Sequence, residues 1–281
     1  MTFLQQLLIA VVQGITEFLP ISSSGHLILI PFVTDWPDQG PLIDVAVHVG
    51  SLLAIIVYFF KDVVTLARGG FASVGIGKAP AERRLFWWIV LGTIPAVGFG
   101  LAIKLGAFNS LAETWFGITV TDEDLMASIR FTDLIAVNLI VYGILLGIAD
   151  MFGRSEKSFE DMTWRDGLIV GLAQALAIIP GTSRSGVTMT AARALGYKRV
   201  EAARFSFLLS IPAVAGAGVL IVPEIFEHGG DLALEALVTG ALTFVAAFAT
   251  MAFLMKFLQK ASMLVFVVYR VVLGVALLAL F

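Results

Sequence analysis

The feature of the sequence that most limits its fold is a series of long apolar stretches. A helix needs about 20 apolar residues to cross the roughly 30 Å hydrocarbon core of a bilayer. Only 14% of the 281 residues are charged, whereas soluble domains carry about 25%. One soluble core cannot hide so many apolar stretches, so we predict an all-α integral membrane protein that forms a single membrane domain over residues 1–281. The six predicted transmembrane helices are at about 42–60, 84–106, 132–150, 203–222, 232–256 and 262–281.

Two further apolar stretches, residues 3–33 and 166–195, are each interrupted near the middle by Gly, Pro and Ser residues. The arms on either side of each interruption are short for a full crossing. Irregular backbone at membrane depth is tolerated only where protein or a water-filled cavity surrounds it. We therefore predict two re-entrant helical hairpins, each of which enters and leaves the membrane on the same side.

The charges of the loops test this topology. Basic residues gather in segments 61–84 and 150–166, after residue 195, and at Lys256 and Lys260, and by the positive-inside rule these parts are cytoplasmic. The charges alternate consistently only if both interrupted stretches are re-entrant, with both chain termini outside the cytoplasm. The alternate loops are acidic and contain Asp35, Asp38, Glu113, Asp122, Glu123, Asp124, Glu224, Glu227 and Asp231, with Arg130 as a lone cation.

The two interrupted stretches also resemble each other. Twelve positions separate Gln13 from Gly25 in the first and Gln174 from Gly186 in the second. Each stretch is followed by three predicted spans, and because three is odd the two halves have opposite orientations. We therefore predict an inverted-topology repeat of residues 1–150 and 166–281, as in transporter folds whose sites lie near the midplane.

The second interrupted stretch has the residue types of a phosphate-binding turn. Small residues let the backbone turn sharply and direct N–H groups to one place, and a helix that starts near Gly186 adds its positive end. Arg184 supplies a forked donor that suits phosphate oxygens. An arginine at membrane depth is costly, and this cost favours a functional role. The predicted substrate-binding residues of this turn are Gly181, Thr182, Ser183, Arg184, Ser185, Gly186 and Thr188.

The first interrupted stretch carries a candidate cation site. Gln13 and Glu17 are four residues apart and share one helical face, so together they can hold a metal ion or a water molecule. A carboxylate within an apolar arm indicates a functional role for Glu17. Asp44 and His48, also four apart, are weaker candidates for the same cavity.

Candidate catalytic groups follow directly in the sequence. His26 comes after three serines and can act as a base, an acid or a nucleophile. Ser23 is a candidate nucleophile and Ser24 a candidate substrate ligand, although both serines also suit helix caps.

Together the two stretches closely resemble the undecaprenyl-pyrophosphate phosphatases of the BacA/UppP type. The second motif of that family, Pro-Gly-x-Ser-Arg-Ser-x-x-Thr, is matched from Pro180 to Thr188. Its first motif, a Glu/Gln-x-x-x-Glu pair with a Ser cluster, Gly and His, is matched from Gln13 to His26, and Gln13 takes the Gln alternative. The resemblance covers essentially the whole chain in length and order of spans.

The resemblance implies hydrolysis of a C55 polyprenyl pyrophosphate to the monophosphate carrier of wall-polymer (peptidoglycan) assembly, and a link to bacitracin resistance. It further implies a homodimer in the bacterial inner membrane, a divalent cation (Mg²⁺ or Ca²⁺) and an active site open to the outer face. Arg184 and Glu17 would be catalytic beside the nucleophile. We favour Ser23 as the nucleophile with His26 as its base, and direct attack by His26 or by water remains open.

The main alternative is a transporter or flippase for the same lipid phosphate, because inverted hairpins are transporter architecture, and a role that combines both activities is compatible with the pattern. The type 2 phosphatidic-acid phosphatases fit poorly, since the chain has only three histidines and none follows Ser183 and Arg184 at a usable distance. The net charge of −3 and the lack of a basic block argue against nucleic acid.

Overall fold

The computed structural model describes residues 1–34, 36–77, 79–109, 114, 131–227 and 230–280, without the side chains of residues 32, 217, 220–227 and 231. Within this part the chain forms eleven α-helices and one 3-10 turn, Phe159–Asp161, and no sheet. Several residues named above lie outside the described part: Asp35, Glu113, Asp122, Glu123, Asp124, Arg130 and His228. The same holds for the side chains of Glu224, Glu227 and Asp231.

The helices follow the order that the apolar stretches predict. In chain order they are α1 (Phe3–Thr16), α2 (Ser23–Thr34), α3 (Gly40–Tyr58), α4 (Phe60–Ser73), α5 (Pro80–Lys104), α6 (Thr132–Phe152), α7 (Trp164–Leu176), α8 (Arg184–Ala194), α9 (Arg199–Glu227), α10 (Gly230–Phe257) and α11 (Leu264–Leu280).

Four of the described helices are long and apolar enough to cross a membrane: α3, α5, α6 and the part of α10 from Leu232 to Phe257. They coincide with four of the six predicted spans, so the chain has the architecture of a multi-pass membrane protein. Helix α11 is apolar but has only 17 residues. Helix α9 has 29 residues, and several of its side chains lie outside the described part.

The predicted basic loop after α3 is helical in its first half, so for residues 60–73 the prediction of a loop was wrong. Helix α4 starts directly after Phe59, and it packs along α5. The two helices approach closely at Gly69, where a Cβ atom would overlap the carbonyl oxygen of Glu82. An amphipathic helix that packs on a neighbour needs few apolar residues, and for this reason the hydropathy of the sequence did not indicate it.

The two interrupted stretches fold as helix pairs broken at the predicted places. The first break lies between α1 and α2 and contains Pro20, and the second lies between α7 and α8 and contains Pro180. Proline has no N–H to donate and disfavours helical backbone in the residue before it. Helix α1 packs mainly on α10, and α7 packs mainly on α5. In each broken pair the first helix therefore packs mainly on a helix from the other half of the chain.

A buried ionic cluster joins the ends of several helices. Arg193 Nε lies 3.1 Å and Arg199 Nε 2.7 Å from Asp150 Oδ1. The second carboxylate oxygen of Asp150 accepts a hydrogen bond from the N–H of Met263 at 3.0 Å. Buried charges are tolerated when they are paired and hydrogen-bonded. The cluster fixes α6 to α8, to α9 and to the start of α11.

Helices α3 and α10 cross with their backbones in direct contact. Gly50 of α3 faces Gly240 of α10, and a Cβ atom added to Gly50 would overlap the carbonyl oxygen of Gly240. Small residues at such crossings are typical of membrane helices, because close packing replaces the hydrophobic driving force that lipid does not supply.

We expect Gly50→Ala to destabilise the protein by about 1–3 kcal/mol, since the added methyl group overpacks the crossing. Gly98→Ala is the matched control, because a Cβ atom at Gly98 meets no atom within 4 Å, and alanine favours a helix by up to about 1 kcal/mol over glycine. Thermal unfolding of the detergent-purified variants measures the difference. Equal midpoints for the two variants would contradict the close crossing.

Candidate active site

The two breaks share one unusual backbone conformation. Ser22 has φ 76° and Ser183 has φ 70°, and they are the only non-glycine residues with positive φ in the described part of the chain. Ser22 Oγ accepts the N–H of Gly25 at 3.4 Å, and Ser183 Oγ accepts the N–H of Gly186 at 3.1 Å. Each serine thus caps the helix that follows it. Backbone strain of this kind costs about 1–3 kcal/mol and concentrates at functional sites.

Arg270 of α11 connects the two breaks. Its side chain is fully buried. The Nη1 atom donates to the carbonyl oxygen of Pro20 at 3.2 Å in the first break. The Nη2 atom donates to the carbonyl oxygens of Gly181 and Thr182 in the second break, both at 3.0 Å. Two further bonds reach α6, from Nη2 to Asn138 O at 3.2 Å and from Nε to Leu139 O at 3.1 Å.

The charge of Arg270 is balanced by carbonyl dipoles, since none of its hydrogen-bond partners among the described residues is acidic. The position of its guanidinium also explains why residue 186 of the second motif is glycine. A Cβ atom added to Gly186 would lie 2.7 Å from Arg270 Nη1. Arg270 was not among the residues predicted from the sequence. A lone arginine inside the apolar stretch 262–281 was the signal that could have done so.

The carboxylate of Glu17 brings residues of both breaks together. Glu17 follows the last residue of α1 and is 7% exposed. One of its oxygens, Oε1, accepts a hydrogen bond from Arg184 Nη2 of α8. The other, Oε2, accepts from Ser23 Oγ at 2.6 Å and from Gln13 Nε2 at 3.1 Å. Four residues predicted from two distant parts of the sequence therefore meet at one buried group.

His48 also reaches this carboxylate, and the backbone of Asp44 contacts the other side of its ring. His48 Nε2 lies 3.7 Å from Glu17 Oε2, and Nδ1 lies 2.6 Å from the carbonyl oxygen of Asp44. The side chain of Asp44 accepts a hydrogen bond from Gln39 at 2.7 Å. Of these two weaker candidates, the structure places the imidazole at the site.

His26 contacts a different set of atoms from the one expected. Its Nδ1 lies 2.7 Å from the carbonyl oxygen of Ser22, which can only accept, so Nδ1 carries the proton. Its Nε2 then accepts from the hydroxyl of Tyr269 at 2.6 Å, and the two rings are nearly parallel. The hydroxyl of Ser23 donates its hydrogen bond to Glu17 Oε2. The expected pairing of Ser23 with His26 is therefore replaced by a pairing of Ser23 with Glu17.

Several predicted phosphate ligands of the second break have partners within the protein. Ser185 Oγ donates to the carbonyl oxygen of Leu19 at 3.1 Å, which ties the second break to the first. Thr188 Oγ1 donates to the carbonyl oxygen of Arg184 at 2.7 Å. The N–H of Thr182 bonds to Ile179 O at 3.3 Å. With the Ser183 cap, these groups maintain the shape of the turn.

Two donors of the second break are buried and have no hydrogen-bond partner among the described residues. They are Arg184 Nη1 and Thr182 Oγ1. Buried polar atoms in native proteins are normally satisfied, so this pair indicates where a ligand with acceptor oxygens fits. Ser24 is exposed, and its hydroxyl lies 3.4 Å from Ser22 Oγ.

The predicted cation ligands pass one test of fit. Gln13 Oε1 is buried and has no partner among the described residues. It lies one helical turn from Glu17, and hard divalent cations take carboxylate and amide oxygens while keeping waters and substrate phosphate oxygens. The described residues contain no group of three His, Cys, Asp or Glu side chains that could hold a metal ion, so protein oxygens alone would fill only part of a coordination shell.

Two more residues of the site were missed by the sequence analysis. Asn138 of α6 donates from Nδ2 to the carbonyl oxygen of Pro180 at 2.8 Å, and Tyr269 of α11 contacts His26. Neither residue carries a charge, so neither stands out in an apolar stretch through the cost of burying one. Only their position against the breaks identifies them.

Comparison with known proteins shows the family to which the chain belongs. The family described as "Bacitracin resistance protein BacA" matches residues 6–276. A protein of Erythrobacter litoralis named undecaprenyl-diphosphatase is 82% identical over the full length of both chains. Proteins of the same name from Nitrosococcus oceani and Chromohalobacter salexigens are 44% identical over all of both chains and 45% identical over 99% of this chain and 98% of the relative. The chain therefore belongs to the BacA bacitracin resistance protein family.

Proposed function

We propose that this protein is a membrane phosphatase that hydrolyses undecaprenyl (C55 polyprenyl) diphosphate to the monophosphate and inorganic phosphate, which recycles the lipid carrier of cell-wall assembly. The names of its relatives support the substrate. The observation that carries the reaction type is the junction at Glu17. One carboxylate holds the hydroxyl of Ser23 at 2.6 Å and the guanidinium of Arg184, so a nucleophile with its base lies beside a phosphate anchor.

In the first step, Ser23 Oγ attacks the terminal phosphorus atom. The new O–P bond forms as the bond from that phosphorus to the bridging oxygen breaks, and the electron pair leaves with the polyprenyl monophosphate. The hydroxyl proton passes to Glu17, which already accepts the hydrogen bond of Ser23. A carboxylate in this position serves as a general base because the proton has only a hydrogen bond's length to move.

In the second step, water attacks the phosphoserine. Its oxygen bonds to phosphorus as the bond to Ser23 Oγ breaks. The proton that Glu17 took in the first step returns to Ser23 Oγ, and the proton that the water loses passes to solvent. Inorganic phosphate is the second product, and the enzyme is restored.

The guanidinium of Arg184 and the hydroxyl of Thr182 would bind the terminal phosphate, because both have unpartnered donors. Arg270, which donates hydrogen bonds to carbonyls of both breaks, would add a fixed positive charge. Stabilising charge on phosphate oxygens is the main catalytic task in phosphoryl transfer. A divalent cation such as Mg²⁺ or Ca²⁺, held by Gln13 and Glu17, would supply further neutralisation of these oxygens.

We place His26 beside the nucleophile as a group that orients the first break. Its fixed tautomer joins Ser22 to Tyr269. We assign Ser183, Ser185, Gly186 and Thr188 to shaping the turn that presents Arg184, because each has a hydrogen-bond partner within the protein.

The proposal includes six transmembrane helices and two re-entrant hairpins in an inverted repeat. Helices α1 and α2 have 14 and 12 residues, and α7 and α8 have 13 and 11. At 1.5 Å per residue the longest is about 21 Å, shorter than the roughly 30 Å of hydrocarbon. The matching conformations of Ser22 and Ser183 support the repeat. We further propose an inner-membrane homodimer with both termini and the open side of the site on the outer face.

We expect acid-quenched protein, stopped during turnover of polyprenyl diphosphate, to carry phosphate on Ser23. Mass spectrometry detects this acid-stable adduct. Ser23→Ala should abolish both the adduct and phosphate release, whereas Ser24→Ala should keep the adduct on residue 23. An acid-labile phosphate on His26, found under a neutral quench, would make His26 the nucleophile instead.

We expect Arg184→Lys to lower kcat/KM for phosphate release about 100-fold or more, the usual loss when one donor to transition-state charge is removed. A lysine ammonium cannot bind Glu17 and phosphate with one planar fork. Arg165→Lys on the exposed surface of α7 is the control and should retain full activity. If the wild-type protein in detergent releases no phosphate at all, a transporter is the better assignment.

A further inference from the structure

We propose that Tyr269 of α11 is a positioning residue of the reaction: its hydroxyl fixes the ring of His26, and that ring fixes the backbone that carries Ser23. This inference rests on the proposed function, because it concerns how the proposed nucleophile is presented. Three observations support it: the hydrogen bonds at both ring nitrogens of His26, the positive φ of Ser22, and the anchoring of the neighbouring residue Arg270.

The ring of His26 is held at both nitrogens, and Tyr269 selects its tautomer. Nδ1 lies 2.7 Å from the carbonyl oxygen of Ser22, which can only accept, so this nitrogen carries the proton. Nε2 lies 2.6 Å from the hydroxyl of Tyr269, which donates to its lone pair. If the proton moved to Nε2, the lone pair of Nδ1 would face the carbonyl oxygen, and the two acceptors would repel each other. A donor at Nε2 therefore keeps the ring bonded to Ser22.

The carbonyl that His26 holds belongs to the residue before the proposed nucleophile. Ser22 has φ 76°, a left-handed conformation that costs free energy in a residue other than glycine. Its carbonyl oxygen accepts from the backbone N–H of His26 at 3.3 Å and from Nδ1 at 2.7 Å. These bonds fix the peptide unit that joins Ser22 to Ser23. The orientation of that unit sets where Ser23 Oγ points, and here the oxygen lies 2.6 Å from Glu17 Oε2.

Tyr269 itself is held by the aromatic contact and by the residue that follows it. Its ring is nearly parallel to that of His26, and the ring centroids are 5.7 Å apart. The next residue, Arg270, is buried and donates to the carbonyl oxygen of Pro20 at 3.2 Å. Adjacent residues of α11 therefore hold the first break on both sides of Ser22, at residue 20 and through residue 26. A functional group is best fixed by a partner on a rigid helix.

The hydroxyl of Tyr269 can be removed without removing the aromatic contact. Its only hydrogen bond among the described residues is the one to His26. Tyr269→Phe keeps the ring and loses this bond alone. A tyrosine that served only to pack against the imidazole would tolerate this change, whereas a positioning residue would not.

The first measurement is the tautomer of His26, without substrate. The chain has three histidines, so ¹⁵N-histidine labelling of the full-length protein in detergent gives few resonances, and His26→Asn identifies those of residue 26. At about pH 8, where a free imidazole is neutral, we expect the wild type to carry the proton on Nδ1 alone. Tyr269→Phe should add a population with the proton on Nε2. Tyr58→Phe, whose ring contacts Phe59 and Phe248, is the matched control and should match the wild type.

The second measurement is the turnover of polyprenyl diphosphate. We expect Tyr269→Phe to lower kcat about 10-fold through the loss of one hydrogen bond, with little change in KM, because the phosphate anchors are intact. In His26→Asn the amide nitrogen can take the place of Nδ1 and needs no partner at Nε2. Adding Tyr269→Phe to His26→Asn should therefore lower kcat little further, which a double-mutant cycle measures as coupling. Tyr58→Phe should keep the wild-type kcat.

A wild-type tautomer in Tyr269→Phe, an unchanged kcat, a rise in KM alone, or additive effects of the two substitutions would each overturn the proposal. Thermal unfolding shows whether Tyr269→Phe remains folded. If it does not, the wild-type spectrum decides, since a proton on Nε2 of His26 contradicts the proposed donor. If the wild type releases no phosphate, the phosphatase assignment fails, whereas the tautomer comparison still decides whether Tyr269 fixes His26.

Discussion

The constraint on which the structure depends is the burial of the Arg270 guanidinium between the two broken helix pairs. A guanidinium in the interior is tolerated only if its donors are satisfied, since an unpaired buried charge costs several kcal/mol. Here five carbonyl bonds satisfy it, and the carbonyls come from both breaks and from α6. Residues at a break have carbonyls that no helix uses. The breaks therefore supply what the arginine needs, and the arginine fixes how the breaks face each other.

This arrangement also determines the electrostatics of the site. Arg270 has carbonyl partners and Arg184 has one carboxylate partner, Glu17, so positive charge exceeds negative charge where the breaks meet. An excess of fixed positive charge at low dielectric favours an anion with several oxygens. The burial of Glu17 keeps its carboxylate from turning to solvent, so Ser23 and Arg184 keep a common partner. The same group thereby links Ser23 from one half of the chain with Arg184 from the other.

Part of this site could be predicted from residue types alone. Glu17 and Arg184 stand out because charge is costly in apolar surroundings, and Ser23 stands out because it belongs to a cluster at a break. Arg270 carries the same signal of cost, but it lacks a neighbouring motif and was missed. Helix α4 was missed because its burial depends on α5. The roles of Ser185 and Thr188 were assigned to phosphate, whereas their hydroxyls bond to Leu19 and Arg184 carbonyls, because a hydroxyl suits either use until its neighbours are known.

The sequence by itself determined that the chain is a helical membrane protein, where the two helix pairs break, and which residues are too costly to bury without a function. These properties follow from local composition and spacing, which act over a few turns of helix. Only the tertiary structure decided that Ser23 pairs with Glu17, that His26 pairs with Tyr269, and that His48 faces the carboxylate. The first contact spans the break between α1 and α2, and the other two join atoms far apart in the chain. All three depend on how the helices that hold the breaks pack, α1 on α10 and α7 on α5. That packing is set by close contacts such as Gly14 against Ala246 and Gly171 against Gly92, whose partners the spacing of residues in one stretch does not identify.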